Sequence, residues 1–239
     1  MNSFPEWQYD ELKQVGIDYT EQSEVQVYDT QMQRLRDIKK EVEDFMKSTG
    51  LTYDRTVLEI GTGTGELAIE IARYCTKVFA ADVSPTMLKF ARQKARDRDV
   101  SNIEFHDGGF LTYTHAGEPL DVIVSQLALH HLPDFWKLIA LKRIYAMLKN
   151  GGKFYLRDVV YSFEGDHHEF LESWINGVKE AAGERMAKDL ATSIKEEYYT
   201  FDWIMEELLK RAGFIIEKAE HKDGCMAVYL CSKRTGQQS

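Results

Sequence analysis

Three glycines at alternate positions, Gly61, Gly63 and Gly65 in "VLEIGTGTGE", are the residues of this sequence best placed to hold a ligand. They follow an apolar run and precede an amphipathic one, so they form a turn between a strand and a helix, where backbone can approach a ligand closely. Gly65 leads into the helix, whose N-terminal amides face the crevice. Two acids flank the turn. Glu59 stands just before it, where a carboxylate either holds the turn's amides or meets a cationic group. Asp82 ends the next strand, the position from which a carboxylate accepts hydrogen bonds from ribose hydroxyls. A dinucleotide fingerprint counted from Gly61 and Gly63 needs a third glycine at position 66, and that residue is Glu66. The spacing therefore disfavours a nucleotide-dependent oxidoreductase.

Two histidine pairs could carry proton or metal chemistry. His130 and His131, in "SQLALHHLPD", follow a strand, and imidazole titrates near neutral pH, so either can act as an acid or base; packing and backbone hydrogen bonding are the alternative. "EGDHHE" gathers Glu164, Asp166, His167, His168 and Glu169. Neighbours on one helix point in different directions, so this cluster reads as a solvated helix start with acids at its positive end, and no metal is expected.

The elements that position these residues are legible from periodicity. Leu35, Ile38, Val42 and Phe45 mark an amphipathic helix within residues 25–47, in an N-terminal helical segment spanning 1–50. Short apolar runs at 55–60, 77–82, 103–109, 120–126 and 153–160 read as strands. Helices separate several of them; one opens with Ser84 as cap and Pro85 in its first turn, and another is stopped by Asn150, Gly151 and Gly152. Such alternation implies a parallel sheet with helices on both faces. A helical insertion over 166–198 follows, with Phe170, Leu171, Trp174, Ile175 and Val178 on one side. Trp174 and its neighbours on that stripe are expected in the core. Residues 200–233 then give a final helix and a hairpin turning at Asp223 and Gly224, which makes the last strand antiparallel.

Composition narrows the partners. The 239-residue chain has a formal charge of -9 and a pI near 5.3, which disfavours a nucleic-acid groove. "MNSFPEWQYDELKQ" has neither a basic start nor an apolar stretch, and no run reaches the roughly 20 apolar residues that span a bilayer, so a cytoplasmic protein with no membrane partner is expected. Cys75, Cys225 and Cys231 form no CxxC pair and read as buried thiols. The oligomeric state is left open.

"VLEIGTGTGELAIEIA", "VFAADVSPTMLKFA", "DVIVSQLALHHLPD" and "MLKNGGKFYLRD" together resemble the successive motifs of class I S-adenosylmethionine-dependent methyltransferases, closest to the small-molecule branch typified by ubiquinone and menaquinone methyltransferases. The resemblance covers residues 55–160, the cofactor-binding core. It implies a single domain over 1–239: a Rossmann-like α/β fold with a seven-stranded, mostly parallel sheet, an antiparallel last strand and a helical lid.

It further implies that Gly61 and Gly63 lie against the methionine part and ribose of S-adenosylmethionine, that Glu59 supports the loop or the cofactor's amino group, that Asp82 binds the ribose diol, and that Val83 and Met87 flank the adenine. The family often carries an acid after its third strand that binds the adenine amino group. Here Gly109 stands at that step, so Asp107 or a backbone amide such as that of Phe110 must serve instead. Tyr19 and Tyr28 are the N-terminal aromatics expected beside the cofactor or acceptor.

The acceptor step after the fourth strand lacks the Asn/Asp-Pro-Pro-aromatic sequence of base and glutamine amino-methyltransferases, and it has no cysteine nucleophile. A small-molecule acceptor is therefore expected. The alternative function is a non-catalytic cofactor-binding sensor or partner protein with the same fold.

Overall fold

The computed structural model describes residues 5–13, 15–16 and 22–235. Tyr19 lies outside the described residues. Strands β1 (Thr56–Ile60), β2 (Lys77–Asp82), β3 (Ile103–Asp107), β4 (Leu120–Gln126) and β5 (Leu148–Tyr161) are mutually parallel. A two-residue strand β6 (Thr200–Phe201) pairs with the end of β5, and the hairpin of β7 (Ile215–Lys222) and β8 (Met226–Ser232) completes the sheet. The order is β3-β2-β1-β4-β5-β8-β7. The seven strands on that path match the sequence expectation; β6 is an addition that two residues could not signal.

The reversed strand is the last one in the chain, β8, antiparallel to both β5 and β7. It is inserted between them, so β7 forms the sheet edge. Asp223 and Gly224, both with positive φ (54° and 70°), make the tight turn that this pairing requires.

Helices cover both faces. The side chains of β1 alternate, sending Val57 toward α2 (Ile38–Thr49) and α3 (Glu66–Ile71), and Leu58 and Ile60 toward α5 (Asp134–Met147) and α8 (Asp202–Arg211). Every residue of β4 is buried, as expected of a central strand covered on both sides. Glu59 shares the face of Val57 and so points under α2 and α3.

Local chemistry sets the helix boundaries. Ser84 caps α4 (Pro85–Asp97) by accepting from the Met87 amide at 3.2 Å, with Pro85 in the first turn as read from sequence. The single N-terminal helix expected over 25–47 is two helices, α1 (Gln22–Met32) and α2. Asp37 accepts from the Lys40 amide at 3.1 Å and starts a new helix, and Leu35 falls in the intervening turn. The insertion is likewise two helices, α6 (His167–Ala182) and α7 (Glu184–Glu196), broken at Gly183 with φ 94°.

Sheet order reverses between β1 and β4, whose onward connections run to opposite sides. In an open α/β sheet this switch point opens a crevice outside the carboxyl ends of the strands. The ends of β1 and β2 carry the glycine turn and Asp82; the ends of β4 and β5 lead to His130, His131 and Asp158.

Candidate active site

A cavity of about 850 Å³ fills that crevice. Its floor includes Gly61, Gly63, Asp82, Val83 and Met87. One wall is formed by Tyr28, Met32 and Arg36 of the N-terminal segment, and another by Trp174, Val178, Met186 and Leu190 of α6 and α7. The expectation that Trp174 packs in the core is corrected: Trp174 and Val178 of α6 line the cavity, and the Trp174 ring is half-buried there.

The first two glycines differ in their reasons. Gly61 (φ 79°) is pressed against Ala128, whose Cβ would lie 2.3 Å from any Cβ placed there. Gly63 (φ 53°) meets nothing within 4 Å, so its missing side chain leaves open space in the cavity. Gly65 is the left-handed cap of α3 and packs on Ala91 rather than lining the cavity. The loop is roofed by α1: Thr64 donates to Asp29 at 2.5 Å, and Lys94 pairs with both Asp29 and Glu66.

Asp82 accepts from the Gly63 amide at 2.7 Å and the Ser84 amide at 2.8 Å, one on each carboxylate oxygen. An ionised carboxylate has about four lone-pair sites, so capacity remains for a further donor. Burial raises its pKa, while those amide bonds oppose the shift. Glu59 takes the Thr62 hydroxyl at 2.8 Å and is 3% exposed. Burial pushes its carboxyl up to about 8, against the lowering effects of the Thr62 bond and Arg36. It lies in a small recess beneath the loop that adjoins the main cavity and shares Tyr28, Gly61 and Gly63 with it.

Phe110 lines the cavity beside Val83, whereas Asp107 is exposed and not among its lining residues. Glu11, which sequence reasoning did not single out, reaches this corner from the N-terminal segment and accepts from the Leu111 amide at 2.9 and 3.0 Å.

At the other end the two histidines part company. His130 is buried; its amide donates to Asp158 at 3.0 Å, its ring Nδ1 engages the same carboxylate, and Nε2 lies 3.4 Å from Glu197. Burial disfavours its charge, yet Asp158 and Glu197 hold its pKa above the ordinary histidine range. Burial and the neighbouring His130 instead drive His131 down to about 3, which keeps it neutral. Its side chain stays 33% exposed at the cavity wall. Glu197 also approaches His131, at 4.0 Å, and accepts from Ser193 at 3.1 Å.

The "EGDHHE" cluster lies elsewhere: Asp166 caps α6 by accepting from the His168 and Glu169 amides, and both histidines are exposed. Glu11, Asp158 and Glu197 carry no local motif. Of these only Asp158, near the carboxyl end of a parallel strand, had a positional signal in the sequence.

The fold and the crevice together are those of a Rossmann-like α/β protein with its ligand site at the switch point of the sheet. Residues 57–152 match the methyltransferase domain family. An uncharacterized methyltransferase of Bacillus velezensis is 32% identical over 167 residues, covering 70% of this chain and 73% of the relative. A second, from Geobacillus thermodenitrificans, is 31% identical and covers 82% and 84%. An S-adenosylmethionine-dependent methyltransferase from Clostridium acetobutylicum has a similar fold, with TM-score 0.66, 16% identity and coverage of 89% and 98%. The [4+2]-cyclase SpnF also shares the fold (TM-score 0.64, 18% identity, coverage of 82% and 81%).

The chain belongs to the S-adenosylmethionine-dependent methyltransferases. The residues present fit that cofactor, since the open space at Gly63 admits a ligand against the backbone and Asp82 keeps capacity for a donor from a diol. Among the described residues, no helix is long and apolar enough to cross a membrane.

Proposed function

We propose that this enzyme methylates a small, largely apolar acceptor, as the small-molecule branch resembling ubiquinone and menaquinone methyltransferases does, and that it does so in the cytoplasm as one domain over 1–239. The observation that carries this reading is His131, whose side chain is one-third exposed on the wall of the same cavity that Gly63 and Asp82 open into. S-adenosylmethionine, when bound, supplies an electrophilic methyl group on a sulfonium.

The chain's own task is alignment, which can supply roughly 7 to 11 kcal/mol of a displacement barrier. In this reading Asp82 holds the ribose diol, Gly61 and Gly63 admit the methionine part, Glu59 supports the loop or the cofactor's amino group, and Val83, Met87 and Phe110 pack the adenine. Trp174, Val178 and Leu190 surround the apolar part of the acceptor and exclude water. His131, whose charged form burial and His130 disfavour, meets the acceptor as a neutral imidazole and orients it by a hydrogen bond. His130, held by Asp158 and Glu197, which favour its charged form, stands against His131 and disfavours a proton there.

The test is transfer of radiolabelled methyl from S-adenosylmethionine into metabolite extracts, with His131→Gln in parallel. The expected result is label in a small extractable product, a fall of up to about 10²-fold in turnover for the variant as the acceptor loses its alignment, and unchanged affinity for S-adenosylhomocysteine. Label found only in protein or nucleic acid overturns the acceptor class. Tight cofactor binding with no labelled product supports the non-catalytic alternative.

A further inference from the structure

The corner of the cavity beyond Asp82 contains an acid that does not belong to the sheet. Glu11 is 9% exposed and lines the cavity with Val83, Gly109 and Phe110. Its Oε1 takes the shorter branch of the Leu111 amide bond and the Thr112 hydroxyl at 2.6 Å, leaving Oε2, with the longer branch, as the less committed oxygen. Oε2 lies 2.7 Å from where a Cβ on Gly109 would stand, and Val83 Cγ1 lies 2.6 Å from it. The glycine is thus the gap through which a carboxylate from a distant segment reaches the cavity wall. Next in the chain, the Phe110 amide donates to no group among the described residues, so an acceptor atom and a donor stand side by side.

We propose that Glu11 and the Phe110 amide read the Watson–Crick edge of the cofactor's adenine, Glu11 accepting from the 6-amino group and the amide donating to N1. This rests on the assignment of Asp82 to the ribose, which places the base toward β3. Adenine offers a donor at position 6 and an acceptor at N1, whereas hypoxanthine offers the reverse pair. The corner therefore selects adenine by two hydrogen bonds that the oxo base cannot make, and unpaired polar groups in a desolvated site are costly. The same docking ties the N-terminal segment across the cofactor, since Tyr9, two residues earlier, donates to the His131 carbonyl at 3.2 Å.

The experiment is calorimetric titration of the full chain with S-adenosyl-L-homocysteine and S-inosyl-L-homocysteine. We expect wild type to prefer the adenosyl compound by about 10- to 100-fold and Glu11→Gln, whose amide can present either a donor or an acceptor, to lower that ratio by about threefold or more, the Phe110 amide still favouring the N1 acceptor of adenine. Glu11→Ala should bind the adenosyl compound more weakly. Equal wild-type affinity for the two ligands, or an unchanged ratio in Glu11→Gln, overturns the proposal while leaving the cofactor site intact. Failure of wild type to bind either compound overturns the ribose assignment with it.

Discussion

Asp158 accepts the backbone amide of His130 at 3.0 Å and engages the ring of the same histidine with its second oxygen, so one wholly buried carboxylate fixes both the turn after β4 and the imidazole it carries. Glu197, from the end of the insertion, approaches the far side of that ring. A histidine between two acids keeps its proton in the fold beyond its ordinary pKa of about 6.5.

A histidine with a raised folded-state pKa contributes stability that is complete below its unfolded value and is lost as pH rises through the folded one. His130→Gln should therefore cost about 1 to 3 kcal/mol near pH 6 and less as pH rises above 6.5. Urea midpoints of wild type and variant between pH 5.5 and 9 measure this. A constant difference across the range would show that His130 is neutral in the fold.

Glu59 has the opposite effect on folding. Its folded pKa of about 8 lies above its ordinary 4.5. Between these values the unfolded chain has released the proton that the fold retains, so the group lowers stability progressively as pH rises from about 4.5 to 8, by up to ~5 kcal/mol. Glu59→Gln should flatten the stability profile in that window. If Glu59 meets the cofactor's amino group, cofactor binding near neutral pH should also release a proton. The binding enthalpy would then vary with buffer ionisation enthalpy in wild type, and equal variation in Glu59→Gln would rule that contact out.

Asp82 and Asp107 separate a lining acid from an exposed one. Asp82→Asn should weaken S-adenosylhomocysteine binding by about 10- to 100-fold, the value of hydrogen bonds to a charged group. Asp107→Asn, on an exposed residue that does not line the cavity, should leave it unchanged. Titration of both variants checks the pair, and a loss at Asp107 would move the adenine toward the outer face of β3.

Alanine at the first two glycines should give two different failures. Gly61→Ala forces a methyl against Ala128 and should destabilise the fold by more than the ~1 to 2 kcal/mol of a left-handed alanine alone. Gly63→Ala meets open space, so it should incur only that backbone cost while its methyl obstructs the cofactor. Thermal melting and cofactor titration together distinguish the two; equal destabilisation with intact binding at 63 would place the ligand elsewhere.

Sequence alone determined the order of strands and helices, the glycine turn, Asp82 at the end of β2, the cap at Ser84 and the hairpin at Asp223 and Gly224. These follow from local rules: apolar periodicity, proline and capping preferences, and the backbone freedom of glycine act within a few residues of chain. The failure of the NAD spacing was legible for the same reason.

Both His130 and His131 line the cavity, and only the tertiary structure decided which of them is buried between acids and which stays partly exposed. Their unlike titration comes from Asp158 and Glu197, which lie 28 and 67 positions along the chain from His130 and act through burial and charge. The same holds for Glu11 at Gly109, for Trp174 turned from core to cavity, and for the breaks at Asp37 and Gly183 that bend two helical stretches around the crevice. Each depends on close approach between distant segments, and that proximity arises only when the sheet is assembled and water is excluded from its carboxyl edge.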